Sequence, residues 1–148
     1  VVREILMVEP RASIEVDEQW CTALHLAISN GHVQLAQELL DGSYDACLLW
    51  NKEGRTPLHL AAMRGLKEIM DKILSVDSNL ASVLTQQEES ILHLCVMNRR
   101  FEALQYLVEN YNTETIINSR DQMGNTVLHL AAYEKSHHVL SSSLRLSP

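Results

Sequence analysis

"GRTPLHLAAMRG" (Gly54–Gly65) recurs along the chain in looser form, as "CTALHLAISNG" (Cys21–Gly31), "ESILHLCVMNR" (Glu89–Arg99) and "NTVLHLAAYEK" (Asn125–Lys135). The shared histidines are His25, His59, His93 and His129, spaced 34, 34 and 36 residues apart. Self-similarity at this period marks an array in which each copy is one supersecondary unit that cannot bury its apolar face alone. A histidine repeated four times in one context belongs to the frame, because an active site needs its base only once.

Each copy carries the punctuation of a short helix. In the second copy Thr56 is an N-cap residue, and Pro57 takes the first helical position, where a missing N–H costs nothing. Thr22, Ser90 and Thr126 hold the same place in the other copies, so every cap is a hydroxyl residue. The histidine three positions on can reach back to the cap as a capping-box side chain does. Leu58, Ala61 and Ala62 form a narrow apolar stripe, and small alanines admit a second helix closely. Cys95 falls where other copies have Ala27, Ala61 and Ala131, and so reads as a small buried residue. Gly65 ends the helix.

A second helix follows, with Ile69, Ile73 and Leu74 on its core side; one period earlier stand Leu35, Leu39 and Leu40, and one later Ala103, Leu107 and Val108. The turn before each cap places Gly54 and Gly124 where an unusual φ is needed. Trp20 and Glu88 hold that position in the other copies, which predicts strained turns there. The two extra residues of the last interval fall in the loop around "NYNTETIINS" (Asn110–Ser119), where insertion is cheap.

The pattern T-P-L-H-x-A-A, a short break and a second helix resembles the ankyrin repeat over nearly the whole chain. The resemblance implies an all-α ankyrin-repeat solenoid of stacked helix-turn-helix units joined by hairpin-like loops. One domain spans residues 1–148: the second helix of a truncated repeat at 1–16, repeats at 17–50, 51–84 and 85–120, and a last repeat with a divergent end at 121–148. The segments "EGRTPLHLAAMRGLKEIMDKIL", "ILHLCVMNRRFEALQYLVE" and "MGNTVLHLAA" further resemble a plant group of ankyrin proteins that carry a C-terminal PGG membrane domain, which is absent from this chain. That resemblance implies a cytoplasmic module, at the cytosolic face of a membrane in the full-length protein, serving defence or stress signalling. The alternative is a soluble scaffold or a structural spacer without a membrane tail.

Projected outward, the register sets Val1, Val2, Ile5 and Leu6 against Leu35, Ala36, Leu39 and Leu40, so the chain opens inside a repeat. The initial Val, in place of Met, reads the same way. At the other end Val139, Leu140, Ser143 and Leu144 occupy core positions, and the serine predicts a frayed last helix.

Composition limits the function. The net charge of −7 is concentrated in residues 1–50, which carry −6, against +1 for 51–100 and −2 for 101–148. That balance lacks the basic stripe of a nucleic-acid surface. Three cysteines, Cys21, Cys47 and Cys95, show no metal-ligand spacing and read as reduced thiols. His137 and His138 are adjacent and on a helix would diverge by about 100°, unsuited to one metal. No apolar run has the length of a membrane span. No phosphate loop or nucleophile elbow is present. The chain therefore reads as non-catalytic, without cofactor or metal, a monomeric array whose partner is another protein.

In arrays of this kind the hairpin tips and exposed first-helix positions form a concave binding surface. The candidates are Lys52, Glu53, Arg55, Met63 and Arg64 in the second copy, Gln86, Gln87, Glu89, Met97 and Asn98 in the third, and Gln122, Met123, Asn125, Tyr133 and Glu134 in the fourth. The first copy offers Glu18, Gln19, Cys21, Ser29 and Asn30. Met63, Met97, Met123 and Tyr133 form a column suited to anchoring a partner.

Overall fold

A computed structural model describes residues 1–135. They form the all-helical solenoid expected, with no strand among the described residues. The helices are α1 (Val2–Val8), α2 (Ala23–Ser29), α3 (Val33–Gly42), α4 (Pro57–Arg64), α5 (Lys67–Val76), α6 (Ile91–Met97), α7 (Phe101–Asn110), the single turn α8 (Glu114–Ile117) and α9 (127–135). Single 3-10 turns at Pro10–Ile14, Asp45–Leu48 and Ser78–Ser82 close the earlier units, and α8 takes that place in the third. Because α7 ends in step with α5 and α8 starts late, the two extra residues lie between Asn110 and Glu114.

The helices form two rows. First helices stack as α2, α4 and α6, with α4 packed against both neighbours, while α1, α3 and α5 stack as the second row. Leu58, Ala61 and Ala62 are buried between the rows, as are Ile69, Met70, Ile73 and Leu74. Burying one such aliphatic side chain is worth about 1.5–3 kcal/mol, so short helices of seven to ten residues owe their stability to stacking.

Two positions depart from the expected register. Leu35 is 36% exposed while Ala36 is fully buried, and Val108 is 44% exposed although its counterparts Leu40 and Leu74 are core. In α3, Ala36 faces inward with Leu39 and Leu40, and Leu35, about 100° around the helix from it, points toward solvent. At the N-terminal end α1 packs on α3 through Val2 and Leu6 and contains no fully buried residue; Ile5, Met7 and Val8 stay exposed. The expectations placed on His137, His138, Val139, Leu140, Ser143 and Leu144 lie outside the described residues.

The strained turns are where the sequence placed them. Trp20 and Glu88 have φ of 61° and 63°, matching 72° at Gly54 and 81° at Gly124. A left-handed residue with a Cβ costs about 1–2 kcal/mol, partly offset by its smaller unfolded-state entropy. Glu88→Gly is therefore expected to raise the unfolding free energy by about 0.5–1 kcal/mol, read by urea denaturation; a loss of stability would show that the Glu88 side chain contributes more than its backbone costs. Gly54 does not tolerate the reverse change, since a Cβ there would stand 2.3 Å from Gln86 Cβ and 3.2 Å from the Gln86 backbone nitrogen.

Candidate functional site

The cap histidines fasten their helices to the frame, and two of them reach the next unit. In α2, α4 and α6 the backbone N–H of the cap residue donates to the histidine Nδ1, at 3.1 Å for Thr22–His25, 3.0 Å for Thr56–His59 and 3.1 Å for Ser90–His93. The cap hydroxyl oxygen accepts the histidine backbone N–H in return, completing a capping box. Because Nδ1 accepts, the ring proton resides on Nε2, an assignment made from the hydrogen-bond network. Nε2 then donates to a carbonyl of the following unit in two cases, His25 to Arg55 at 3.3 Å and His93 to Asn125 at 2.9 Å, while His59 donates at 2.8 Å to Val83 at the end of its own unit. His129 keeps its cap contact, 2.7 Å to Thr126 Oγ1, but is exposed.

Both nitrogens of His25, His59 and His93 are thus engaged in the frame. Burial pushes the His59 pKa down to about 4 and lowers that of His25. The rim of Trp50 lies beside His59, with ring centroids 5.9 Å apart. Burial raises the Cys47 and Cys95 thiols to about 12, so neither is a thiolate near neutrality. Among the described residues no group of three or more His, Cys, Asp or Glu side chains has a metal-binding arrangement. No described helix is long and apolar enough to cross a membrane.

The hairpin tips form a continuous edge. Each turn closes through a backbone bond, Asp17 N–H to Cys21 O, Asn51 N–H to Arg55 O, Thr85 N–H to Glu89 O and Asp121 N–H to Asn125 O, all between 2.8 and 3.0 Å. The first residue also gives a side-chain acceptor: Asp17, Asn51 and Asp121 each take two backbone N–H bonds through Oδ1. Thr85 does this with one, through Oγ1. Successive tips are then tied by Lys52 N–H to Gln19 O, Gln86 N–H to Gly54 O and Gln122 N–H to Gln87 O.

On this edge Lys52, Glu53, Gln87 and Met123 are exposed, with Met123 at 84%. Arg55 is half-buried and paired to Glu53 at 2.6 Å, and its Nε is a buried donor with no hydrogen-bond partner. Glu89 is half-buried and accepts from the Thr85 hydroxyl at 3.1 Å. On the first helices Met97 and Tyr133 are exposed, whereas Met63 is half-buried against the core. Arg64 and Asn98 serve the frame as well: Arg64 Nε donates to the Ser29 carbonyl at 2.9 Å, and Asn98 Nδ2 to the Leu94 carbonyl at 2.8 Å. These bonds satisfy helix C-terminal carbonyls, where cations and donors are favoured.

Three residues were not singled out as binding candidates from sequence. Trp20 at the first tip is 58% exposed, and Leu26 on α2 is 44% exposed although its counterparts Leu60 and Leu94 are buried. Arg99 has φ of 58° at the place of Gly31 and Gly65. Alignment at the 34-residue period would have exposed Arg99; the exposure of Leu26 follows from what stacks on α2 and has no local signal.

The family model for ankyrin repeats matches residues 1–82 and 68–141. The chain is also similar to the nuclear factor NF-kappa-B p105 subunit of Rattus norvegicus, 31% identical over 140 residues, covering 91% of this chain. It spans only 14% of the length of that relative.

Proposed function

Because the chain belongs to the ankyrin-repeat family, whose stacked arrays work as protein–protein interaction modules, we propose that it binds a partner protein through its hairpin tips and first helices, without chemistry of its own. The observation that carries this reading is the pre-set edge of tied hairpin tips, which presents exposed Trp20 and Met123, beside the first helices that present exposed Met97 and Tyr133. Aromatic and Met side chains are enriched at interface cores, and a rigid surface loses little entropy on binding. The engagement of both nitrogens in His25, His59 and His93 supports a non-catalytic role.

The finer reading, from the resemblance of the segments between motifs, is a recognition module of a plant defence or stress signalling protein, held at the cytosolic face of a membrane. The candidate contact residues are Lys52, Glu53, Arg55, Gln87, Glu89, Met97, Met123 and Tyr133, joined by Trp20; Met63, Arg64 and Asn98 act mainly in the frame.

The test is affinity capture from plant lysate with the array and with a Trp20→Ala, Met97→Ala, Met123→Ala variant. The expected result is a captured protein whose retention falls about tenfold or more in the variant, as when interface anchors are truncated, with an unchanged melting curve. Equal capture by both, or capture of nothing, would leave the array as a spacer and would also remove the grounds for the signalling role.

A further inference from the structure

The opposite edge, formed by the turns between first and second helices, is separated from the hairpin tips by the length of a first helix, about 11 Å. Three adjoining cavities run along it. One of about 250 Å³ is lined by Val33, Leu66, Lys67 and Glu68; it shares Gly65 and Lys67 with a second of about 490 Å³. The second shares Arg99 and Phe101 with a third of about 300 Å³, which Ala131, Glu134 and Lys135 complete. The cavities are therefore successive parts of one groove crossing the repeats.

The central cavity reverses the sign of the molecule. Arg64, Lys67, Arg99 and Arg100 line it against the single acid Glu102, in a chain of net charge −7 with only 12 Lys and Arg. All four cations are on exposed residues. The acids facing the groove from adjacent parts are Glu68 and Glu134. Lys67 approaches Glu102 at 3.9 Å, but both side chains are largely solvated, so the pair neutralises little. The acidic tips lie about one Debye length away at physiological salt, which largely screens them.

Two of the cations are also held in place. Arg64 Nε is anchored on the Ser29 carbonyl at 2.9 Å and Arg100 Nε on the Met63 carbonyl at 3.1 Å, each reaching across a repeat junction. Phe101, 47% exposed, stands in the wall between the central and third cavities. Neither α5 nor α7 has a side-chain cap at its start, so the first-turn N–H groups add to the positive field.

We propose that this groove is a second docking site, for an acidic peptide segment of a partner protein. Side-chain carboxylates of the segment sit over Arg64, Lys67, Arg99 and Arg100, and one apolar side chain packs on Phe101. Arginine forks suit carboxylates in charge-assisted pairs, and an aromatic face beside them gives a peptide its apolar anchor. The clustering of the cations around one groove, with Glu68, Glu102 and Glu134 among them in an otherwise acidic molecule, disfavours a nucleic-acid backbone or a lipid surface, which need an extended basic stripe or face.

The test uses the whole 148-residue chain and fluorescence anisotropy of a labelled Glu-rich peptide with one central Phe, beside the same peptide with Gln for Glu. The Glu peptide is expected to bind at least about tenfold tighter, with affinity falling as salt rises. Lys67→Glu with Arg99→Glu should weaken it by about tenfold or more, whereas Trp20→Ala leaves it unchanged. Because Glu88 already occupies a left-handed position, a Glu at 99 is compatible with the backbone. Amide shift mapping on the unmodified protein gives a second readout independent of the variant's folding, with changes expected at Lys67 and at Arg99 to Ala103. Equal binding of the two peptides, no binding, or shifts confined to the hairpin tips would overturn the proposal. Tighter retention of phosphatidylserine vesicles or of a single-stranded oligonucleotide by the same residues would also overturn it.

Discussion

His59→Ala is expected to lower the unfolding free energy by about 4 kcal/mol. The imidazole is fully buried, so its removal leaves a void between α4 and the Val83 segment that closes the same unit. It also strips partners from two backbone groups, the Thr56 N–H, bonded to Nδ1 at 3.0 Å, and the Val83 carbonyl, bonded to Nε2 at 2.8 Å. An unsatisfied buried polar group costs about 1–3 kcal/mol, and the void adds a term of similar size. His129→Ala provides the contrast: that ring is exposed, so its loss should cost about 1 kcal/mol, the value of a cap interaction. Urea denaturation of the two variants measures the difference. A His59→Ala loss no larger than that of His129→Ala would show that the histidine caps its own helix and gains nothing from its burial or from the Val83 carbonyl.

Acidification should produce the next largest effect. The folded chain holds His59 neutral down to about pH 4, whereas the unfolded chain protonates it near 6.5. Between those values the unfolded state binds more protons, so stability rises with pH through the window. The full contribution is present above pH 6.5 and is lost progressively as pH falls toward 4, amounting to about 3 kcal/mol from His59 alone. His25, lowered in the same direction by burial, deepens the loss. Unfolding curves collected from pH 7.5 to 4.5 should show a falling urea midpoint that flattens when His59 is replaced. A midpoint independent of pH across that window would contradict the assignment of a buried, neutral ring.

Much of this frame could be read from the chain because the repeat supplies its own controls. Four hydroxyl caps, each three residues before a histidine, specify a local hydrogen-bond exchange that needs no tertiary information. The Gly54 and Gly124 turns made Trp20 and Glu88 conspicuous at the same positions, and all four have positive φ. What the pattern could not fix was rotation and end effects. Leu35 and Ala36 are both apolar neighbours on one helix, and only the rotation of that helix decides that Ala36 goes inside. Arg64 read as a surface contact residue because its anchor, the Ser29 carbonyl, is 35 residues away in another helix. The basic groove was hidden for a related reason: its cations come from both sides of two turns, one repeat apart, and the sequence shows them only as a middle third of charge +1.

The recurring histidine fastens its helix to a more distant carbonyl of the frame and performs no chemistry. Long-range proton–nitrogen NMR correlation of the imidazole rings at neutral pH tests it most directly. His25, His59 and His93 are each expected to carry the ring proton on Nε2 with Nδ1 unprotonated, and His59 to stay unprotonated down to about pH 4. Averaged tautomers, a proton on Nδ1, or titration of His59 near 6.5 would mean that the rings are not fixed between their cap and the distant carbonyl, and would contradict a purely structural role.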